Sequence, residues 1–138
     1  MQPRRLLVIR HARAEHGGAT DAERSLTAEG ARHAESVGSW LADHDLVPDH
    51  ALVSSARRAV ETWEAIARGG AWDVVPDVAE ALYAAEPESA LDLAREAPGE
   101  ATTLALVGHN PTVGSMAQLL DDGEGDAEAG VTTPAPPV

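Results

Sequence analysis

"RLLVIRHARAEH", residues 5–16, begins as an apolar run and ends in a cluster of charge. The apolar part is continuous rather than alternating, the pattern of a strand covered on both faces. It delivers Arg10 and His11 side by side where the strand should stop. Taken singly, an arginine there solvates a strand end, and a histidine there is most often a half-buried structural residue. Together they could also open an anion site that contains a nucleophile. Position 11 alone does not decide between these readings.

Three more apolar runs predict strands: "ALVS" (51–54), "WDVVP" (72–76) and "TTLALVG" (102–108). Helical patterns lie between them. Residues 26–44 put Ala31, Ala34, Val37, Trp40 and Leu41 on one face, with Thr27 as the cap. Residues 56–68 stop at Gly69-Gly70, a termination signal. A third helix is expected over 86–97, with Pro87 in its first turn and Pro98 just past its end. The fourth covers 111–122, with Pro111 at the first helical position and Asn110 as cap. Strand alternating with helix predicts an α/β fold: three layers, α/β/α, around a mostly parallel central sheet. One minimal domain is expected over residues 1–122. From Gly123 the chain turns to glycine, proline and acids, and 123–138 reads as a disordered tail.

Composition narrows the functions open to such a domain. At 138 residues the chain can bury one core without disulfide or metal staples. It has no cysteine, which excludes thiolate nucleophiles and thiolate metal sites. The four consecutive apolar residues 6–9 are too few for a signal-peptide core or a membrane span, so a soluble cytoplasmic protein with no membrane partner is expected. The net charge of −13 is uneven: residues 1–68 carry about −1 and the remainder −12. Such a chain should not bind nucleic acid, because that affinity rests on neutralising phosphates. An anionic ligand must instead meet a local cluster of arginine.

That cluster has a place to form. In open parallel sheets, ligands bind beyond the carboxyl ends of the strands, where loops feed helix N-termini. The first strand ends in Arg10-His11. The second runs on as "VSSARRA", with Ser54 or Ser55 as a cap and Arg57-Arg58 in the first helical turn. The last ends "VGHNPT", setting His109 directly before a helix. Arginine in a first turn opposes the helix dipole at a cost of roughly 0.3–1 kcal/mol, a penalty that a bound anion would reverse. Arg57 reads as a solvated surface residue, and Asn110-Pro111 is fully explained as a cap. The signal is the conjunction at the strand ends.

"RHA" (10–12), "SSARRAVET" (54–62) and "GHNP" (108–111) together resemble the signature of the histidine phosphatase superfamily, branch one, also called phosphoglycerate mutase-like. Ser54, Arg58, Ala59 and Thr62 fit its S-x-x-x-R-A-x-x-T pattern, and "ERSLTAEGARHA" (23–34) is similar to a stretch of the short SixA-type phosphohistidine phosphatases. The likeness spans about residues 5–120. It implies that His11 accepts the phosphoryl group and that Arg10, Arg58 and His109 bind it, with no metal or other cofactor. It also implies a phosphorylated protein or a small phosphoester as substrate. Phosphohistidine is the first expectation; a small-molecule phosphomonoesterase and an inactive phosphate-binding module are the alternatives.

Three departures from the resemblance shape what is expected. Larger members carry a glutamate as proton donor after the third strand; Glu80 and Glu86 lie in that region outside the usual motif, and the donor is left open between them. About fifty residues separate Arg58 from His109, too few for the capping insertions that enclose sugar phosphates. An open site is therefore expected, with Arg24 and Arg13 either helping to hold substrate or merely solvated. Relatives also continue past the "GHNP" helix into a further strand and helix, so the sheet is expected to lack that last strand. His33, His44 and His50 read as surface or structural residues, and His11 with His16 makes a poor metal motif.

Overall fold

In the computed structural model, residues 5–17, 20–98, 100–110 and 112–116 are described. The strands are β1 (Arg5–Arg10), β2 (His50–Ser54), β3 (Asp77–Ala79) and β4 (Thr103–Gly108), and the helices are α1 (Ala28–Asp43), α2 (Arg57–Gly70) and α3 (Pro87–Arg95). Residues 112–116 are helical as well. The sheet runs β1-β4-β2-β3 with all pairs parallel. Every strand therefore points its carboxyl end at the same edge. The tail expected over 123–138 and the end of the helix expected over 111–122 lie outside the described residues, as does Pro111.

The continuous apolar strands fill two separate cores, one on each face of the sheet. Leu7, Ile9, Ala51, Val53, Ala105 and Val107 point to one face, against Ala34, Val37 and Leu41 of α1 and Ala59, Trp63 and Ile66 of α2. Val8, Leu52, Leu104 and Leu106 point to the other, against Ala90 and Ala94 of α3 and Val113 and Met116 of the last helix. Each fully buried Leu, Ile or Val contributes about 1.5–3 kcal/mol. The α/β/α layering is the one the strand and helix pattern predicts.

Several boundaries differ from expectation, each for a visible reason. Residues 72–76 are not a strand; β3 begins one residue after Pro76, which has no N–H to offer a ladder. Trp72 and Val74 instead pack against the core beneath α1 and α2, and Val75 is left exposed. Helix α2 runs through both glycines and is capped at Ala71, which takes the left-handed conformation with φ 60°. The glycines serve packing. A Cβ on Gly69 would stand 1.9 Å from the Glu35 carbonyl oxygen, and one on Gly38 would stand 1.9 Å from that of Ile66. The two helices cross at backbone contact. Gly38, rather than Trp40, thus occupies the seam of α1, and Trp40 is exposed, stacked on His44 at 4.0 Å. Thr27 caps α1 by accepting from the Gly30 N–H at 2.8 Å.

Neither serine caps α2. Its N-cap is Ala56, with no side-chain cap bond, and Ser54 is committed elsewhere.

Candidate active site

The carboxyl edge of the sheet gathers the residues that the sequence singles out. Register pairs Arg10 with Gly108, and the His11 N–H donates to the Gly108 carbonyl at 3.0 Å. This sets His11 beside His109, their ring centroids 5.2 Å apart. The next backbone N–H, on Ala12, donates to Thr62 Oγ1 at 2.9 Å, and that hydroxyl donates to the Arg58 carbonyl at 2.6 Å. Thr62 thereby joins the loop after β1 to the first turns of α2.

One short contact fixes the state of His11. Its Nδ1 lies 2.7 Å from the Ala12 carbonyl oxygen, which can only accept, so Nδ1 carries the proton. The lone pair of the neutral ring is then on Nε2. Arg58 Nε points at that nitrogen from 3.4 Å. Burial lowers the His11 pKa from its ordinary value, the charges of Arg58, Arg10 and Arg24 lower it further, and the bond to Ala12 opposes them. His11 is thus a neutral imidazole near pH 7, with its free nitrogen beside the Arg58 guanidinium. Burial also brings the His109 pKa down, to about 4, with His11 and Arg58 adding to the effect.

Arg58 is 7% exposed, and three of its five N–H groups have partners. Its terminal nitrogens donate to the backbone oxygen of Asp21 at 2.7 Å and to Asp21 Oδ2 at 3.0 Å. The same carboxylate accepts from the Tyr83 hydroxyl and, at 3.0 Å, from Arg24. Tyr83 meets the His109 ring edge-on at 5.5 Å, and the Arg58 guanidinium lies 5.9 Å from its ring centre. The Tyr83, Arg24 and Arg58 hydrogen bonds hold the Asp21 carboxyl well below the usual carboxylate range. Asp21 is therefore a standing counter-ion and no proton donor near neutral pH. It reaches Arg58 because the chain between β1 and α1 doubles back: Glu15 N–H donates to the Ser25 carbonyl, and Thr27 N–H to that of Arg13.

Of the residues expected at the site, Arg10, His11, Arg58 and His109 come together. Among the described residues the Arg10 side chain forms no hydrogen bond or ion pair; it is exposed, and its charge acts on His11. Arg24 is drawn in through Asp21, and its Nε donates to the Glu15 carbonyl at 2.6 Å. Arg13 pairs with Glu29, and Arg57 with Glu61, both on the surface. The carboxylates of Glu80 and Glu86 bond to no described side chain of this cluster; Glu86 is the N-cap residue of α3. Asp21 and Tyr83 were not singled out. No pattern marks an aspartate in a loop, although Tyr83 is the only tyrosine in the chain.

The family described as "Histidine phosphatase superfamily (branch 1)" matches residues 6–104. The chain belongs to that superfamily. It is a phosphatase by that membership, and the match takes in Arg10, His11 and Arg58 but ends before His109. This phosphatase is 34% identical over 113 residues to the uncharacterized protein Rv1276c of Mycobacterium tuberculosis, spanning 81% of this chain and 69% of that one. Among solved structures it is similar to a candidate phosphohistidine phosphatase SixA from Agrobacterium tumefaciens, with TM-score 0.76 and 32% identity over 91% of this chain and 80% of that one. A candidate SixA from Nakamurella multipartitia gives TM-score 0.78 at 29% identity, covering 90% of this chain and 72% of that one. The fold also matches that of the protein histidine phosphatase SixA complexed with tungstate, at TM-score 0.75 and 24% identity over 86% and 78% of the two chains.

Proposed function

We propose that this phosphatase acts without a metal through a phosphohistidine on His11, and that phosphohistidine on a protein is its substrate. The observation that carries the reading is the fixed tautomer of His11. Its Nδ1–H is spent on Ala12, which leaves Nε2 as the nucleophile beside Arg58. In the first step Nε2 bonds to phosphorus as the substrate's own P–N bond breaks, and the departing imidazole takes up a proton from solvent water. In the second, water attacks phosphorus, the bond to His11 breaks, and inorganic phosphate leaves. Arg10, Arg58 and His109 face the charge that spreads over the equatorial oxygens, where charge-assisted bonds are worth roughly 1.5–3 kcal/mol each.

The likeness to the two SixA candidates supports the choice of substrate, and so does the placement of the acids. Asp21 stays ionised, and among the described residues Glu80 and Glu86 form no hydrogen bond with the histidine pair. An imidazole leaving group asks for less acid assistance than an alkoxide does. A cytoplasmic location belongs to the same proposal.

The test compares a phosphohistidine-bearing protein with p-nitrophenyl phosphate and sugar phosphates by kcat/KM. Radiolabelled substrate should leave acid-labile phosphate on the wild type and none on His11→Ala. Preference for the small esters would transfer the assignment to a phosphomonoesterase. Absence of label, together with unchanged phosphate affinity in His11→Ala, would leave only a binding module.

A further inference from the structure

We infer that Ser54 is a positioning residue that holds His109 with its proton on Nδ1. The inference rests on the reading just given, in which His109 faces the transferring phosphoryl group. Ser54 ends β2, is wholly buried, and places its Oγ 2.7 Å from His109 Nε2. That Oγ also accepts from the Ala56 backbone N–H at 3.2 Å. Among the described residues no other polar atom reaches it, and His109 Nδ1 is buried with no partner at all.

A hydroxyl has one proton and two lone pairs. The Ala56 N–H takes one lone pair. If Nε2 carried the imidazole proton it would take the second, the hydroxyl proton would be buried without an acceptor, and Nδ1 would be a bare lone pair as well. With the proton on Nδ1, the hydroxyl donates to Nε2, and a single group, the Nδ1–H, is left unspent. The second arrangement orphans one buried group instead of two, each of which is costly in a core. It also gives the N–H a use. The His109 ring centre stands 5.2 Å from that of His11, and with Nε2 held by Ser54 the Nδ1–H is the ring donor left for the phosphoryl group. A phosphoryl oxygen gaining charge there needs a donor, and the opposite tautomer would present it with a lone pair. The proton stays on His109 throughout; Ser54 sets direction and takes no part in transfer.

Nitrogen-15 NMR of the imidazoles in the intact protein separates the two tautomers and requires no turnover. The wild type should show His109 protonated at Nδ1, and Ser54→Ala should convert it to a mixture of tautomers. With p-nitrophenyl phosphate as probe, Ser54→Ala should lower kcat ten- to a hundredfold with KM within threefold, and Ser54→Thr, which keeps the hydroxyl, should recover most of it. Three results would each overturn the inference: Nε2–H in the wild type, Nδ1–H undiminished in Ser54→Ala, or unchanged kcat in that variant. Nδ1–H in a wild type that forms no phosphoenzyme would refute the catalytic scheme alone.

Discussion

The two ends of α2 do opposite work. Its first turn carries Arg57 and Arg58, and Arg58 reaches Asp21 and His11 through directed polar contacts. Its last turn carries Gly69 and Gly70 and meets α1 at backbone distance, with no room for a side-chain carbon. At the first end a residue is defined by what it donates; at the second, by what it omits. Substitution should therefore separate chemistry from stability along one helix.

The largest effect is expected at the first end. Arg58→Ala removes the guanidinium beside the nucleophile and should lower kcat/KM by about a thousandfold, the scale of losing one preorganised donor to a charged transition state. Circular dichroism should stay native; collapse of the fold would show that Arg58 is chiefly a structural tie to Asp21. At the other end, Gly69→Val drives a side chain into the Glu35 backbone and should cost about 3 kcal/mol or more. The urea midpoint would read that loss, while turnover per folded molecule stays at the wild-type level. A variant as stable as wild type would refute the close crossing of the helices.

Thr62, one turn beyond Arg58, joins the two kinds of effect. Thr62→Val keeps the shape but leaves the Ala12 N–H without its acceptor, for a loss of roughly 1–3 kcal/mol. Because Ala12 follows the nucleophile, kcat should fall as well; a change in stability with unaltered kcat would confine Thr62 to the scaffold. The smallest effect is one of pH. A protonated His11 cannot attack, so activity is lost as pH falls through its folded pKa, and burial lowers that value. With substrate ionisation corrected for, the acidic limb of kcat/KM should have its midpoint below 6.5, and a midpoint above that would contradict the buried, cation-flanked imidazole.

The same contrast explains what could be read from the sequence. Arg10, His11, Arg58 and His109 were legible because strand ends and helix starts position them, and apolar periodicity locates those points. The glycines of α2 read as a stop, and the helix does end at Gly70, but their contact with α1 is hidden because a helix end and a close helix crossing call for the same residue. Trp40 was placed inside for a related reason: periodicity shows an apolar stripe but does not show that Gly38 occupies the seam. Asp21 was out of reach. Its role depends on a loop that folds back over Arg58, and no local pattern encodes that contact. In sequence Ser54 reads as a cap, but its bond to His109 joins positions 55 residues apart.

Strand β4 stands between β1 and β2, although among the described strands it comes last in the chain. The ladder that aligns Arg5–Arg10 waits for Thr103–Gly108, and so does the one that holds most of β2. Such distant pairings slow the search for the native topology. During synthesis the nucleophile leaves the ribosome nearly a hundred residues before the strand that gives it neighbours. Until that central strand pairs, His11 and His109 have no common edge, so the order of synthesis separates making the nucleophile from making its site.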